Sequence, residues 1–156
     1  MGIVVNSMLQ GMSAGGTDFK TLAHTVDTEC DSEKEPVVLF LGTVSMKPTQ
    51  YRSASAILLF IKGHGLLMDC AEGSYGQLLD HFQSIEKVNE ILLKMRGVFI
   101  THIHGDHQLG VIKIMLERDR LIDAQGTSRD PNNKLYIVAP NIMLDYLETM
   151  RTTVLR

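Results

Sequence analysis

Val98-Phe99-Ile100-Thr101-His102-Ile103-His104-Gly105-Asp106-His107 is where a short β-rich run meets a dense group of metal-ligand residue types. Side chains two apart on an extended chain point the same way, so His102 and His104 can grip one cation together. Gly105 then lets the chain turn, and Asp106 and His107 face a second position nearby. Imidazole nitrogen and carboxylate oxygen suit Zn, or Mn or Fe. The competing reading is a solvated polar loop. Against it, three of the chain's six histidines fall within positions 102–107, directly after a strand and around a glycine.

Outward from this motif the hydrophobic spacing lays out the elements. Upstream, Val88, Ile91, Leu92 and Met95 recur at helical spacing, which predicts a helix ended by Gly97. Residues 56–61 and 66–68 read as a hairpin around Lys62-Gly63-His64-Gly65, and 37–41 as a buried strand stopped by Gly42. After Asp69 the chain turns helical. Downstream, a helix over 109–123 is expected to bury Leu109, Ile112, Met115 and Leu116 and to leave Lys113, Arg118 and Arg120 on its solvated face. A turn-rich loop over 126–133 leads to a strand over 135–138. A last helix follows, with Met143, Tyr146, Leu147 and Met150 on one side and Asn141 as its N-cap. Hairpins followed by alternating helix and strand predict an α/β fold, layered in the α+β manner. Residues 1–35 read as a flexible leader or linker, and 36–156 as the folded domain.

Composition narrows the setting. The chain has 156 residues and a net charge of -3, so no global basic field draws it to nucleic acid. Cys30 and Cys70 form no CxxC pair and read as unpaired packing thiols of a reducing compartment. No apolar run has membrane-spanning length, and the N-terminus lacks a secretory or myristoylation pattern. The acidic stretch over 27–35 argues against an ordinary transit peptide. A nuclear or cytoplasmic location is expected, with a mitochondrial one left open.

The motif over 102–107 resembles the HxHxDH signature of the metallo-β-lactamase superfamily, and further segments resemble one family within it. Phe40-Leu41-Gly42-Thr43 is similar to the FLGT strand of tRNase Z. Residues 66–78, around Asp69-Cys70-Ala71-Glu72-Gly73, resemble its LLLDCGEGTxGQL segment, with Ala71 for Gly and Ser74 for Thr. Ile137-Val138-Ala139-Pro140-Asn141 is similar to the VAPN stretch of the long form. The resemblance covers about residues 37–151. It implies an αββα sandwich holding two zinc ions, with His102 and His104 on one ion and Asp106 and His107 on the other. It also implies Asp106 as proton acceptor for the attacking water, with Asp69 and Glu72 supporting the ligands. The loop 47–53 resembles the family's PxKxRN loop for the tRNA 3′ end. Lys47, Pro48 and Arg52 are carried over as substrate contacts; Gln50 and Ser53 depart from the pattern.

The activity so implied is a zinc-dependent endoribonuclease that matures tRNA 3′ ends, a nuclease and hydrolase using metal-activated water on precursor tRNA. No histidine follows His107, and Asp119, Asp123, Asp130 and Asp145 match no ligand segment of the family. The expectation is therefore the first half of the sandwich only, an incomplete domain inactive alone. Such a fragment is expected to need the C-terminal part of the domain, or a second copy of itself, as partner. The alternatives are another hydrolase on this fold or a non-catalytic remnant that binds metal or a partner.

Overall fold

A computed structural model of the chain describes residues 36–49, 53–126 and 133–153, so the leader expected over 1–35 lies outside the described residues. Five strands form one sheet in sequence order: β1 (Val37–Gly42), β2 (Ala56–Ile61), β3 (His64–Cys70), β4 (Met95–Phe99) and β5 (Tyr136–Val138). The first three are antiparallel neighbours. Lys62 and Gly63, both at positive φ, make the two-residue turn between β2 and β3, and the strand resumes at His64 rather than at Leu66.

β4 runs parallel to β3, and β5 parallel to β4. Parallel neighbours need crossovers, and helices supply them. α1 (Ser74–Phe82) and α2 (Ile85–Lys94) lie between β3 and β4, while α3 (Gly105–Gln108) and α4 (Val111–Ala124) lie between β4 and β5. α5 (Asn141–Thr153) follows the last strand. Ser84 caps α2 by accepting a hydrogen bond from the Lys87 N–H at 3.3 Å. No helix among the described residues is long and apolar enough to cross a membrane.

The register explains the layering. Leu39, Leu58, Leu67, Val98 and Ile137 stand side by side across all five strands. The first four are buried, and they pack in one core with Leu78, Val88, Leu92, Val111, Ile114 and Met143 from the helices. Two rows of the opposite parity point to the other face. One is Val38, Leu59, Leu66, Gly97 and Tyr136; the other is Phe40, Ile57, Met68, Phe99 and Val138. These side chains are apolar as well, yet Phe99, Tyr136 and Val138 are 39%, 64% and 57% exposed.

Four local expectations are corrected. α2 stops at Lys94, and Met95 and Gly97 belong to β4, because parallel pairing with β3 outweighs the local helical spacing. The helix expected from 109 begins at Val111, and its buried residues are Val111, Ile114, Arg118 and Ile122. Leu109 and Leu116 are exposed. The apolar stripe was broad enough to be read one residue out of phase, and the packing of α4 against α2 selects the other phase. Arg118 is accordingly not on a solvated face but 4% exposed, with Nη2 donating to the Asn133 carbonyl and to its Oδ1, both at 2.8 Å. Burial, and then the nearby Arg96, lower its pKa. Lys113 and Arg120 are exposed as expected. Finally, the Pro140 carbonyl accepts from the Met143 and Leu144 N–H groups, so Pro140 rather than Asn141 occupies the capping position of α5.

Candidate metal centre

The His-rich segment leaves the carboxyl end of β4, beside the carboxyl end of β3. That is the edge where sheets with parallel strands place their sites. Two features bring the two strand ends into register. The pairing of β2 with β3 passes from Ile57↔Met68 to Ala56↔Cys70, leaving Asp69 as the extra residue of a bulge at φ 54. A bulge re-aims a side chain, and here it turns the Asp69 carboxylate towards the strand that precedes the histidines. The second feature is Gly110, whose N–H donates to the Cys70 carbonyl at 2.8 Å. A Cβ on Gly110 would stand 2.1 Å from the Ala71 carbonyl oxygen, so only glycine lets α4 start this close to the end of β3.

Asp69 is the buried hub. Its Oδ1 accepts from the Thr101 N–H and hydroxyl, each at 2.9 Å, and its Oδ2 lies 2.7 Å from His107 Nδ1. The Ser55 hydroxyl reaches Oδ2 at 3.4 Å. Burial pushes the Asp69 carboxyl up, but the hydrogen bonds from Thr101 and His107 outweigh it and hold the group below its ordinary range. An ionised Asp69 can only accept at this contact, so the hydrogen sits on His107 Nδ1, and in the neutral imidazole Nε2 is then the nitrogen with the lone pair. That nitrogen is 3.5 Å from Asp106 Oδ2, beyond a good hydrogen bond.

Asp106 and His107 thus form one pair of donors. The other pair is His102 and His104: His102 Nε2 and His104 Nδ1 are 3.2 Å apart, and the Thr101 hydroxyl lies 2.9 Å from His102 Nδ1. Two nitrogen ligands on one tetrahedral zinc sit roughly 3.3 Å apart, given bonds of about 2.0–2.1 Å. The His102 and His107 rings are also neighbours, with centroids 4.0 Å apart. Among the described residues no group of three or more His, Cys, Asp or Glu is arranged to hold an ion. The donor types brought together here, imidazole nitrogens and a carboxylate, are those that zinc takes.

The Asp106 carboxylate is held on its other side by the N–H of Met46, at 2.7 Å to Oδ2. This hydrogen bond is the chief reason that its carboxyl lies below the ordinary range, with smaller help from His107 and His104. Glu72 is exposed on the turn before α1, and among the described residues it makes no hydrogen bond to the motif. Lys47 and Pro48 are exposed on the loop next to Met46, and Arg52 lies outside the described residues. Sequence reasoning missed Thr101 and Met46. Thr101 carried a signal, a hydroxyl at the strand end next to the first histidine; Met46 acts through its backbone and carried none.

Residues 37–139 match the family model described as anti-Pycsar protein Apyc1. Over 114 residues, 72% of this chain, the sequence is 38% identical to the zinc phosphodiesterase ELAC protein 2 of Pan troglodytes. It is 34% identical over 112 residues, 71% of the chain, to "tRNase Z TRZ3, mitochondrial" of Arabidopsis thaliana. The chain spans only 13% and 12% of the length of those two relatives. Among solved structures, a long-form RNase Z from yeast superposes with a TM-score of 0.68 at 22% identity, covering 78% of this chain and 17% of that one. The metallo-beta-lactamase fold protein YhfI from Bacillus subtilis superposes with a TM-score of 0.55 at 18% identity, covering 72% of this chain and 41% of that one.

Proposed function

The chain belongs to the family that the Apyc1 model describes and, within the metallo-β-lactamase fold, to the tRNase Z proteins; on that premise we propose that it supplies the first part of the catalytic domain of a zinc-dependent endoribonuclease acting on precursor tRNA. The reaction is hydrolysis of the phosphodiester that joins the mature tRNA to its 3′ trailer. The observation that carries this reading is Asp69 holding His107 Nδ1 at 2.7 Å, so that Nε2 is presented next to the Asp106 carboxylate.

In this reading His102 and His104 hold one zinc ion and Asp106 and His107 the other. When bound, the ions supply Lewis acidity at the phosphoryl oxygen and lower the pKa of the attacking water. Asp106, ionised and held by the Met46 N–H, accepts that water's proton. Asp69 and Thr101 keep His107 in one tautomer, and Glu72 stands at the mouth of the same strand end. Lys47 offers a point charge to the tRNA backbone, Pro48 stiffens the loop, and Arg52 pairs with a phosphate through its planar fork. The remaining metal ligands come from a further part of the domain, in keeping with the small share of each relative that the chain spans. We place the protein in the nucleus or cytoplasm, with the mitochondrion the compartment to compare, given the name of the Arabidopsis relative.

The test supplies the rest of a relative's catalytic domain in trans. Precursor tRNA with a 3′ trailer and zinc should be left intact by this chain alone and cut at the trailer junction by the pair. The cut should be lost with Asp106→Ala. Trailer cleavage by the chain alone would overturn the need for a second part, and no cleavage by an assembled, zinc-loaded pair would overturn the nuclease.

A further inference from the structure

The loop between β1 and β2 is fixed at both ends, and one of its fixings reaches the metal motif. At its base, the N–H groups of Thr43 and Val44 both donate to the Ser53 carbonyl at 3.0 Å, and Val44 bridges Ala54. Gly42 allows this closure, because a Cβ there would stand 1.8 Å from the Ala54 carbonyl oxygen. Further along, Lys47 N–H donates to the Ser45 carbonyl at 2.9 Å, a tight turn with Met46 at its centre. Met46 sits at φ 69, a left-handed conformation uncommon for a residue with a side chain. Met46 is 76% exposed, so burial of its side chain among the described residues does not account for that conformation. What the turn does achieve is a 2.7 Å hydrogen bond from the Met46 N–H to Asp106 Oδ2, across 60 residues of sequence.

We infer that the Met46 peptide N–H is a positioning group for Asp106, and that it links the loop bearing Lys47 and Pro48 to the metal motif. The inference rests on the proposed role of Asp106 as a ligand and proton acceptor. A carboxylate has two oxygens and rotates readily. With Oδ2 held by the loop, its plane is set and the freedom lost on taking up an ion is smaller. Groups that orient a ligand from behind typically change metal affinity by about 10–100-fold when removed. The same link runs in the other direction: an RNA phosphate that draws Lys47 outward pulls on the turn whose N–H holds Asp106.

The experiment needs no turnover. Zinc affinity is measured by competition with a chromophoric chelator for the wild-type chain, Met46→Gly, Met46→Val and Met46→Pro. Gly keeps the N–H and suits the positive φ, so its affinity should equal or exceed wild type. Val keeps the N–H but resists that φ and should bind several-fold more weakly. Pro removes the donor and should lose on the order of 10-fold. Equal affinity across the set overturns the inference, since a surface loop of purely structural role would give that result.

Amide NMR on the zinc-free chain reads the contact by itself. The Met46 amide proton should be shifted downfield and slow to exchange despite its exposed residue, and Asp106→Ala should abolish both while leaving the Ala54 amide unmoved. A Met46 amide indifferent to Asp106→Ala overturns the inference even if zinc binds. A wild-type chain that takes up no zinc overturns the metal reading instead, and the amide measurement still decides the link.

Discussion

At the scale of single residues, the chemistry of the site edge turns on Asp69 and on the cysteine beside it. Asp69 has a folded pKa below its ordinary 3.8, so above that pH its ionised form favours the folded chain. As pH falls through the folded value, protonation removes that contribution. Urea unfolding of the zinc-free chain should therefore show a loss of stability below about pH 4, and Asp69→Asn should flatten that acid limb. At neutral pH the Asn variant should be less stable by about 2 kcal/mol, because one amide oxygen cannot accept from both Thr101 and His107 and its NH2 opposes them. An unchanged acid limb would assign the pH dependence elsewhere. Cys70 is fully buried, and burial pushes its thiol up to about 12, with Asp69 adding to the rise. The thiolate is the reactive form, so in a Cys30→Ser background Cys70 should resist an aromatic disulfide reagent near pH 8 until denaturant is added. Rapid native labelling would show that the end of β3 opens.

At the scale of elements, two glycines separate close packing from mere punctuation. Gly110→Ala puts a methyl group against the Ala71 carbonyl where α4 abuts β3, and should cost about 3 kcal/mol or more. Gly76 lies inside α1 with open space around its Cα, and Gly76→Ala should raise stability by about 1 kcal/mol. Thermal melts of the two variants should move in opposite directions; a shared direction would refute the packing account of Gly110. The same contrast shows what the sequence disclosed about the fold. The hairpin, the strands and the His-rich turn were readable because their signals are local: alternation, a Lys62-Gly63 turn, ligand types at fixed spacing. The end of α2, the buried face of α4 and the burial of Arg118 were not, because each is decided by a partner element. Met95 and Gly97 join β4 only because β3 offers its edge, and Arg118 goes inside because Asn133 supplies acceptors from far along the chain. At the site, the residue types of the motif were legible, and the sequence left Asp69 open between a turn aspartate and a partner of a motif histidine; its contact is with His107. The backbone donor of Met46 was invisible, since any residue carries an N–H.

At the scale of the whole molecule, the sheet has two apolar faces and the described helices share a core with only one of them. The rows through Leu59 and Leu66 and through Ile57 and Met68 give the second face a continuous apolar strip across five strands. It ends at β5 in the most exposed side chains, Tyr136 and Val138. Contiguous apolar surface of this kind marks an interaction face, and layered domains cover such a sheet face with a second layer. The purified 156-residue chain should accordingly bind a hydrophobic dye and sediment as a concentration-dependent mixture of species. Tyr136→Lys with Val138→Lys places two charges on that face at an edge strand, where they repel other copies and cost little packing. The double variant should move sedimentation towards the monomer and lower dye fluorescence, with a melting temperature within a few degrees of wild type. A wild-type chain that is already a monodisperse, cooperatively melting monomer without dye binding would mean that this face is covered from within. The second layer would then have to come from residues outside those described, and not from a partner.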